Sequence, residues 1–128
     1  MDLVNKLIAQ RNFFNSGVTK EYEFRKQALQ KLMAIVKQYE SQLFEALYTD
    51  LGKSKEESWI TENGFFITEL KNTIKKLGRW MKPKRVRTNL ANMPSKSLII
   101  PEPLGVVLII SPWNYPFNLL FTPLIGAI

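Results

Sequence analysis

The chain has 128 residues, 45% hydrophobic and 23% charged, which suits one small globular domain. With Cys 0 and His 0, a disulfide framework, a thiolate or imidazole metal site, a Cys or Ser–His nucleophile pair and a histidine base are excluded within it. Lys+Arg 18 against Asp+Glu 11 gives a formal charge of +7, so a polyanionic partner has to be weighed.

Met1-Asp-Leu-Val-Asn-Lys reads as the opening of an amphipathic helix with Asp2 near its start, not as a secretory signal, and a cytoplasmic location is expected. Leu3, Leu7 and Phe14, with Val4 and Ile8, form its apolar stripe. Asn15-Ser16-Gly17 ends it with a glycine suited to the position after the C-cap. A long second helix is predicted from about Thr19, as N-cap, to Leu51. Its stripe is Phe24, Ala28, Leu32, Ile35, Tyr39, Leu43, Leu47 and Leu51, at spacings of three and four, and Gly52 closes it. A third helix, roughly 55–81, carries Trp59, Asn63, Ile67, Leu70, Ile74, Leu77 and Met81 on one side, and Pro83 marks its end.

From about residue 82 the pattern becomes extended. Asn89, Asn92, Pro94 and Ser95 fall in a loop, Leu98-Ile99-Ile100 reads as a short strand, and Pro101 and Pro103 break it. Leu104 to Ile110 is an apolar, β-branched run of the kind that forms a strand covered on both faces. It stops at Ser111-Pro112-Trp113-Asn114-Tyr115-Pro116, where two prolines hold the intervening backbone in one shape. Asn118 to Ile128 begins another helix. No internal repeat or low-complexity run is present. Helices first and strands last suit an incomplete α/β protein, and in open α/β sheets ligands bind at the carboxyl ends of strands, where this turn would sit.

Two features admit other readings. Leu104 to Ile128 carries no charge, as a tail anchor would, but Pro112, Pro116 and Pro123 interrupt it, and Asn114 and Asn118 would place amides in hydrocarbon. Lys71, Lys75, Lys76, Arg79, Lys82, Lys84, Arg85 and Arg87 follow one another with no acid among them. A membrane-peripheral helical protein or a basic helical nucleic-acid-binding module could be built on that stretch, with Trp80 available to stack a base. The simpler account is that cations favour the carboxyl end of a helix and the loop beyond is solvated, with Trp80 at the core edge. Neither a nucleic-acid partner nor membrane association is expected.

The run Pro101-Glu-Pro-Leu-Gly-Val-Val-Leu-Ile-Ile-Ser-Pro-Trp-Asn-Tyr-Pro-Phe117, followed by Pro123-Leu-Ile-Gly-Ala-Ile128, resembles the aldehyde dehydrogenase superfamily. Upstream, Arg11-Asn-Phe-Phe-Asn-Ser-Gly17, Thr19, Phe24-Arg25, Asp50-Leu-Gly-Lys53 and Leu77-Gly-Arg-Trp-Met-Lys-Pro83 resemble its class 3-like branch. The family's nucleophilic Cys, general-base Glu and downstream Gly-rich cofactor loop have no counterpart here. Gly105 and Gly126 do not make a dinucleotide fingerprint. The resemblance therefore implies the N-terminal portion of an NAD- or NADP-dependent oxidoreductase that turns an aldehyde into a carboxylic acid, dimeric when complete; the 128 residues alone are expected to be inactive and to self-associate. It implies an α/β fold in which residues 1–83 flank a Rossmann-like cofactor-binding domain, 84–103 form an arm that joins subunits, and 104–128 begin the cofactor-binding core as strand, turn and helix.

The resemblance also assigns roles. Asn114 matches the oxyanion-hole asparagine. Backbone groups of Ile110, Ser111, Pro112 and Trp113 match the wall along the cofactor's ribose and nicotinamide, with Trp113 bordering the nicotinamide and Tyr115 the aldehyde pocket. No metal is expected. On its residues alone, an asparagine in such a turn could equally bond its own backbone. The oxyanion role is chemically apt because an amide N–H stabilises negative charge without proton transfer and does not titrate.

Overall fold

The computed structural model describes residues 2–128. Six α-helices, α1 (Leu3–Asn15), α2 (Tyr22–Gln38), α3 (Glu40–Leu51), α4 (Lys55–Ser58), α5 (Gly64–Trp80) and α6 (Pro116–Ala127), accompany a hairpin of β1 (Lys84–Val86) and β2 (Ser97–Ile99). The helices come first and the strands and α6 follow, the expected order.

In α1 the Asp2 carboxylate accepts from the Val4 N–H, and Gly17 ends the helix at φ 83°, which only glycine takes without strain. Its stripe, however, is not buried: Leu3 is 80% exposed and Ile8 48%. Among the described residues no element covers that face; the helix meets the rest at its far end, where Phe13 packs edge-on against Phe24 at 5.9 Å.

The single long helix expected from Thr19 to Leu51 is two. Thr19 lies in a short 3₁₀ turn (Val18–Lys20), so it is not the N-cap; α2 starts after Glu21. Tyr39, at φ −101° and ψ 15°, separates α2 from α3. The buried face is also rotated from the expected one: Leu29 and Val36 are buried with Leu32 and Met33 partly so, whereas Ile35 and Tyr39 are each 52% exposed. Two neighbouring apolar rows satisfy the same spacing, and the one facing α5 wins because a partner covers it.

The third helical stretch bends through a π-helical turn, Trp59–Asn63, between α4 and α5. Ser54 caps α4 by accepting the Glu57 N–H. Asn63, Ile67, Leu70 and Leu77 face inward as expected, but Trp59 does not, and Phe66, outside the expected stripe, is fully buried. The inserted residue shifts the phase of everything before it. Gly64 allows the turn to close: its N–H donates to the Trp59 carbonyl, and a Cβ there would lie 2.6 Å from that carbonyl oxygen. Gly64→Ala is accordingly expected to destabilise the chain by about 1–3 kcal/mol despite alanine's better helix propensity. Urea unfolding measures this, and an unchanged midpoint would mean that the turn yields without cost.

The core is the contact of α2, α5 and α6. Leu29, Val36, Phe66, Ile67, Leu70, Leu77 and Ile125 form one buried cluster. Phe66 meets Phe117 and Phe121 edge-on at 5.2 and 6.0 Å, while those two rings stack at 4.6 Å. Helix α6, the expected terminal helix begun by Pro116 in its first turn, is thereby fixed on α5, and with it the turn that precedes it.

β1 and β2 pair antiparallel, Arg85 opposite Leu98, so the predicted strand at 98–100 exists, one residue earlier, with a partner at 84–86. Residues 104–110 do not form the expected buried strand: Leu104 is 96% exposed and Leu108 84%. A strand exists only in a ladder, and among the described residues none lies alongside to take its backbone hydrogen bonds. The uncharged end is thus an irregular segment, a turn and the short α6, and no helix among the described residues is long and apolar enough to cross a membrane. All eight cations from Lys71 to Arg87 are exposed, and Trp80 stands among them 47% exposed rather than at the core edge.

Candidate active-site turn

Residues 111–115 form an irregular bend closed by Pro116. Tyr115, at φ −134° and ψ 68°, is the N-cap residue of α6 but offers no side-chain cap. The capping is supplied from elsewhere in the chain. Glu62, at 0% exposure in the π-helical turn, accepts the Asn118 N–H through Oε2 at 2.8 Å. A carboxylate at that place satisfies one orphan N–H of the first turn and is favoured by the helix dipole.

The other Glu62 oxygen, Oε1, accepts from Lys53 Nζ at 2.6 Å, and Lys53 is itself buried. Gly52, at φ 66°, turns the chain out of α3 and delivers this lysine beneath the bend. Its ammonium also donates to the Asn114 carbonyl at 3.1 Å and lies 4.1 Å from the centre of the Tyr115 ring. Three N–H donors thus face a carboxylate, a carbonyl and a π face. Farther along α6, Asn118 Nδ2 donates to the Thr61 carbonyl at 3.1 Å and its Oδ1 accepts from Thr122 at 2.7 Å. Asn118, one of the two amides that argued against a membrane span, is thus hydrogen-bonded within the protein through both its nitrogen and its oxygen.

Above this network stand the predicted site residues. Asn114 is exposed, and its side chain makes no hydrogen bond with any described residue, its own turn included. Trp113 is 89% exposed and Ile110 84%; Pro112 is exposed and Ser111 half-buried. The backbone of 110–113 is likewise unpaired among the described residues. Ile110, Pro112, Trp113 and Asn114 are thus exposed and Ser111 half-buried, whereas the Tyr115 ring lies partly inward over Lys53. A wide groove lined by Phe14, Phe24, Leu77, Trp80, Leu104 and Ile128 among others lies away from the turn.

Lys53 and Glu62 were not legible as site residues. Lys53 stood in the sequence only as the end of Asp50-Leu-Gly-Lys53, and Glu62 only as an acid beside Asn63. The single local signal is a carboxylate next to inward-facing positions of an amphipathic helix, which needs a cation to remain buried. That the cation is Lys53, and that both serve a turn more than fifty residues away, is a tertiary fact.

The aldehyde dehydrogenase family model matches residues 8–128. A 4,4'-diaponeurosporen-aldehyde dehydrogenase of Staphylococcus aureus is 51% identical over 123 residues, 96% of this chain and 27% of that protein. Aldehyde dehydrogenase family 3 member H1 of Arabidopsis thaliana is 44% identical over 97% of this chain and 26% of its own length. A solved substrate-bound state of Staphylococcus aureus AldH superposes with a TM-score of 0.95 at 48% identity, covering 99% of this chain and 28% of that one. The chain thus spans about a quarter of the length of the curated relatives it matches.

Proposed function

Since the chain belongs to the aldehyde dehydrogenase family, in which its helices and two strands make up a partial fold, we propose that it is the N-terminal part of an NAD(P)-dependent oxidoreductase that converts an aldehyde to a carboxylic acid. The observation that carries this reading is the bend at 111–116. It presents an unengaged amide, Asn114, beside an open apolar surface, and its backbone is held from below.

Attack on the aldehyde by a thiolate turns the carbonyl oxygen into an oxyanion. That thiolate belongs to the rest of the enzyme, since these residues contain Cys 0. Asn114 donates an N–H to the oxyanion, and because the amide does not titrate the donor is present at every working pH. Residues 110–113 fit a nicotinamide dinucleotide: their carbonyls, and the N–H groups of all but Pro112, are unpaired with backbone among the described residues, and Ile110 and Trp113 offer apolar surface against which a flat ring can lie. NAD or NADP held there would supply the hydride acceptor. What this chain contributes is the wall, the donor and their mutual placement.

Tyr115 borders the aldehyde pocket with the part of its ring that Lys53 leaves free, the residue being 38% exposed. Tyr115→Ala is expected to shift the ratio of kcat/KM between a short and a bulky aldehyde by about tenfold. An equal fall for both would confine the ring to its contact with Lys53. The β1–β2 hairpin, with Leu98, Ile99 and Ile100 each more than half exposed, suits an arm that packs on a second copy.

The reading is tested by mixing the full-length protein with a short aliphatic aldehyde and NAD or NADP and following cofactor reduction. Aldehyde-dependent reduction with either cofactor is the expected result; its absence with a panel of short, long and aromatic aldehydes would overturn the reading.

A further inference from the structure

We propose that the buried Lys53–Glu62 ion pair is a positioning device for the Asn114 amide: it holds the bend at Asn114 and the first turn of α6 as one body. The inference rests on the functional reading above and adds two positioning residues to it.

Beyond the ring constraints of Pro112 and Pro116, the bend has few other means of keeping its shape. Between Pro101 and Asn114 no backbone N–H or carbonyl is paired with another backbone group among the described residues. The polar tether on the bend itself is Lys53 Nζ to the Asn114 carbonyl at 3.1 Å, and the same ammonium sits 4.1 Å from the next residue's ring. Four residues on, Glu62 takes the Asn118 N–H at 2.8 Å. One ion pair of 2.6 Å therefore touches residues 114, 115 and 118, on both sides of the Pro116 ring. Fixing the Asn114 carbonyl sets the peptide plane that leaves Asn114, and with it the place from which the side-chain amide projects.

A purely structural role accounts poorly for this arrangement. Desolvating a lysine and a glutamate is costly, and buried pairs can often be replaced by apolar residues of similar volume without loss of stability. A pair in which the ammonium has three partners and both carboxylate oxygens are engaged instead defines one geometry, because any shift of the bend breaks a charge-assisted bond in a buried site. Glu62 also sits in a π-helical turn, an irregularity frequent at functional sites, closed by a glycine that leaves no room for a side chain. Catalysis gives such precision a use, since misplacing a donor by about 1 Å can cost on the order of a hundredfold in rate.

The test uses the full-length enzyme carrying Lys53→Met together with Glu62→Gln. This double variant removes both charges at nearly constant volume, leaves no orphaned ion, and lets the new amide oxygen still accept the Asn118 N–H. Expected are a fall in kcat of at least about tenfold, an unchanged KM for NAD(P), and a thermal midpoint no lower than that of the parent. Added to Asn114→Ala, the double variant should lower kcat by less than about twofold more, because its effect runs through that amide. Parental kcat, or a loss that multiplies with that of Asn114→Ala, would overturn the proposal. If the double variant does not fold, Lys53→Arg carries the test: the charge and its pairing with Glu62 stay, but the longer planar guanidinium cannot reproduce the contact with the Asn114 carbonyl. A kcat about tenfold lower at constant KM for NAD(P) is then expected, and parental kcat overturns the proposal. Failure of the functional reading looks different: the parent enzyme oxidises no aldehyde, or Asn114→Ala alone keeps its turnover.

Discussion

Replacing Asn114 by alanine in the full-length enzyme is expected to lower turnover by about 10²–10³ and to leave cofactor affinity near its parental value. The amide meets charge only after the carbonyl has been attacked, so its contribution falls on the transition state and not on the bound aldehyde. The groups assigned to the cofactor are backbone atoms and the Ile110 and Trp113 surfaces, which the substitution does not touch. The Asn114 carbonyl also remains, so the contact from Lys53 persists and the bend keeps its tether. Loss of rate therefore reports the donor itself. Asn114→Asp should be at least as harmful, because an ionised carboxylate would repel the oxyanion. Steady-state kinetics with a short aldehyde measure both variants, and an alanine variant that keeps most of its turnover would remove Asn114 from the oxyanion hole.

The parts of this molecule that could be read ahead of the structure are those set by near neighbours in the chain. Gly17 and Gly52 end helices because their positive φ is a local requirement. The inward row of Ile67, Leu70 and Leu77 follows from a period within one helix. The bend at 111–116 follows from Pro112 and Pro116. What could not be read depends on partners. Which of two adjacent rows on α2 is buried is decided by α5. The break at Tyr39 carries neither glycine nor proline to announce it. The apolar run at 104–110 is strand-like in composition, yet it has no ladder among the described residues and stays irregular. The same holds for the site: Asn114, Trp113 and their neighbours lie in one contiguous motif, whereas the ion pair beneath them joins the end of α3, a π-helical turn and the start of α6.

Glu62→Ala should destabilise the chain by about 3–5 kcal/mol, unlike the Lys53→Met, Glu62→Gln double variant, which leaves no buried ion. Removing the carboxylate leaves the Lys53 ammonium at 8% exposure with one carbonyl and one aromatic face as its partners, and an uncompensated charge so deeply buried is costly. The Asn118 N–H loses its acceptor at the same time, at a further cost of about 1–3 kcal/mol if no water reaches it. Both penalties fall where α6 docks on α5 through Phe117 and Phe121, so loosening is expected to begin at the bend and spread into the core. Urea unfolding followed by circular dichroism measures the loss, and amide hydrogen exchange in α6 locates it, with the first turn losing protection before α2 does. A Glu62→Ala chain as stable as its parent would show that water or a rearranged side chain reaches Lys53 readily, and that the pair is not the sealed contact its burial implies.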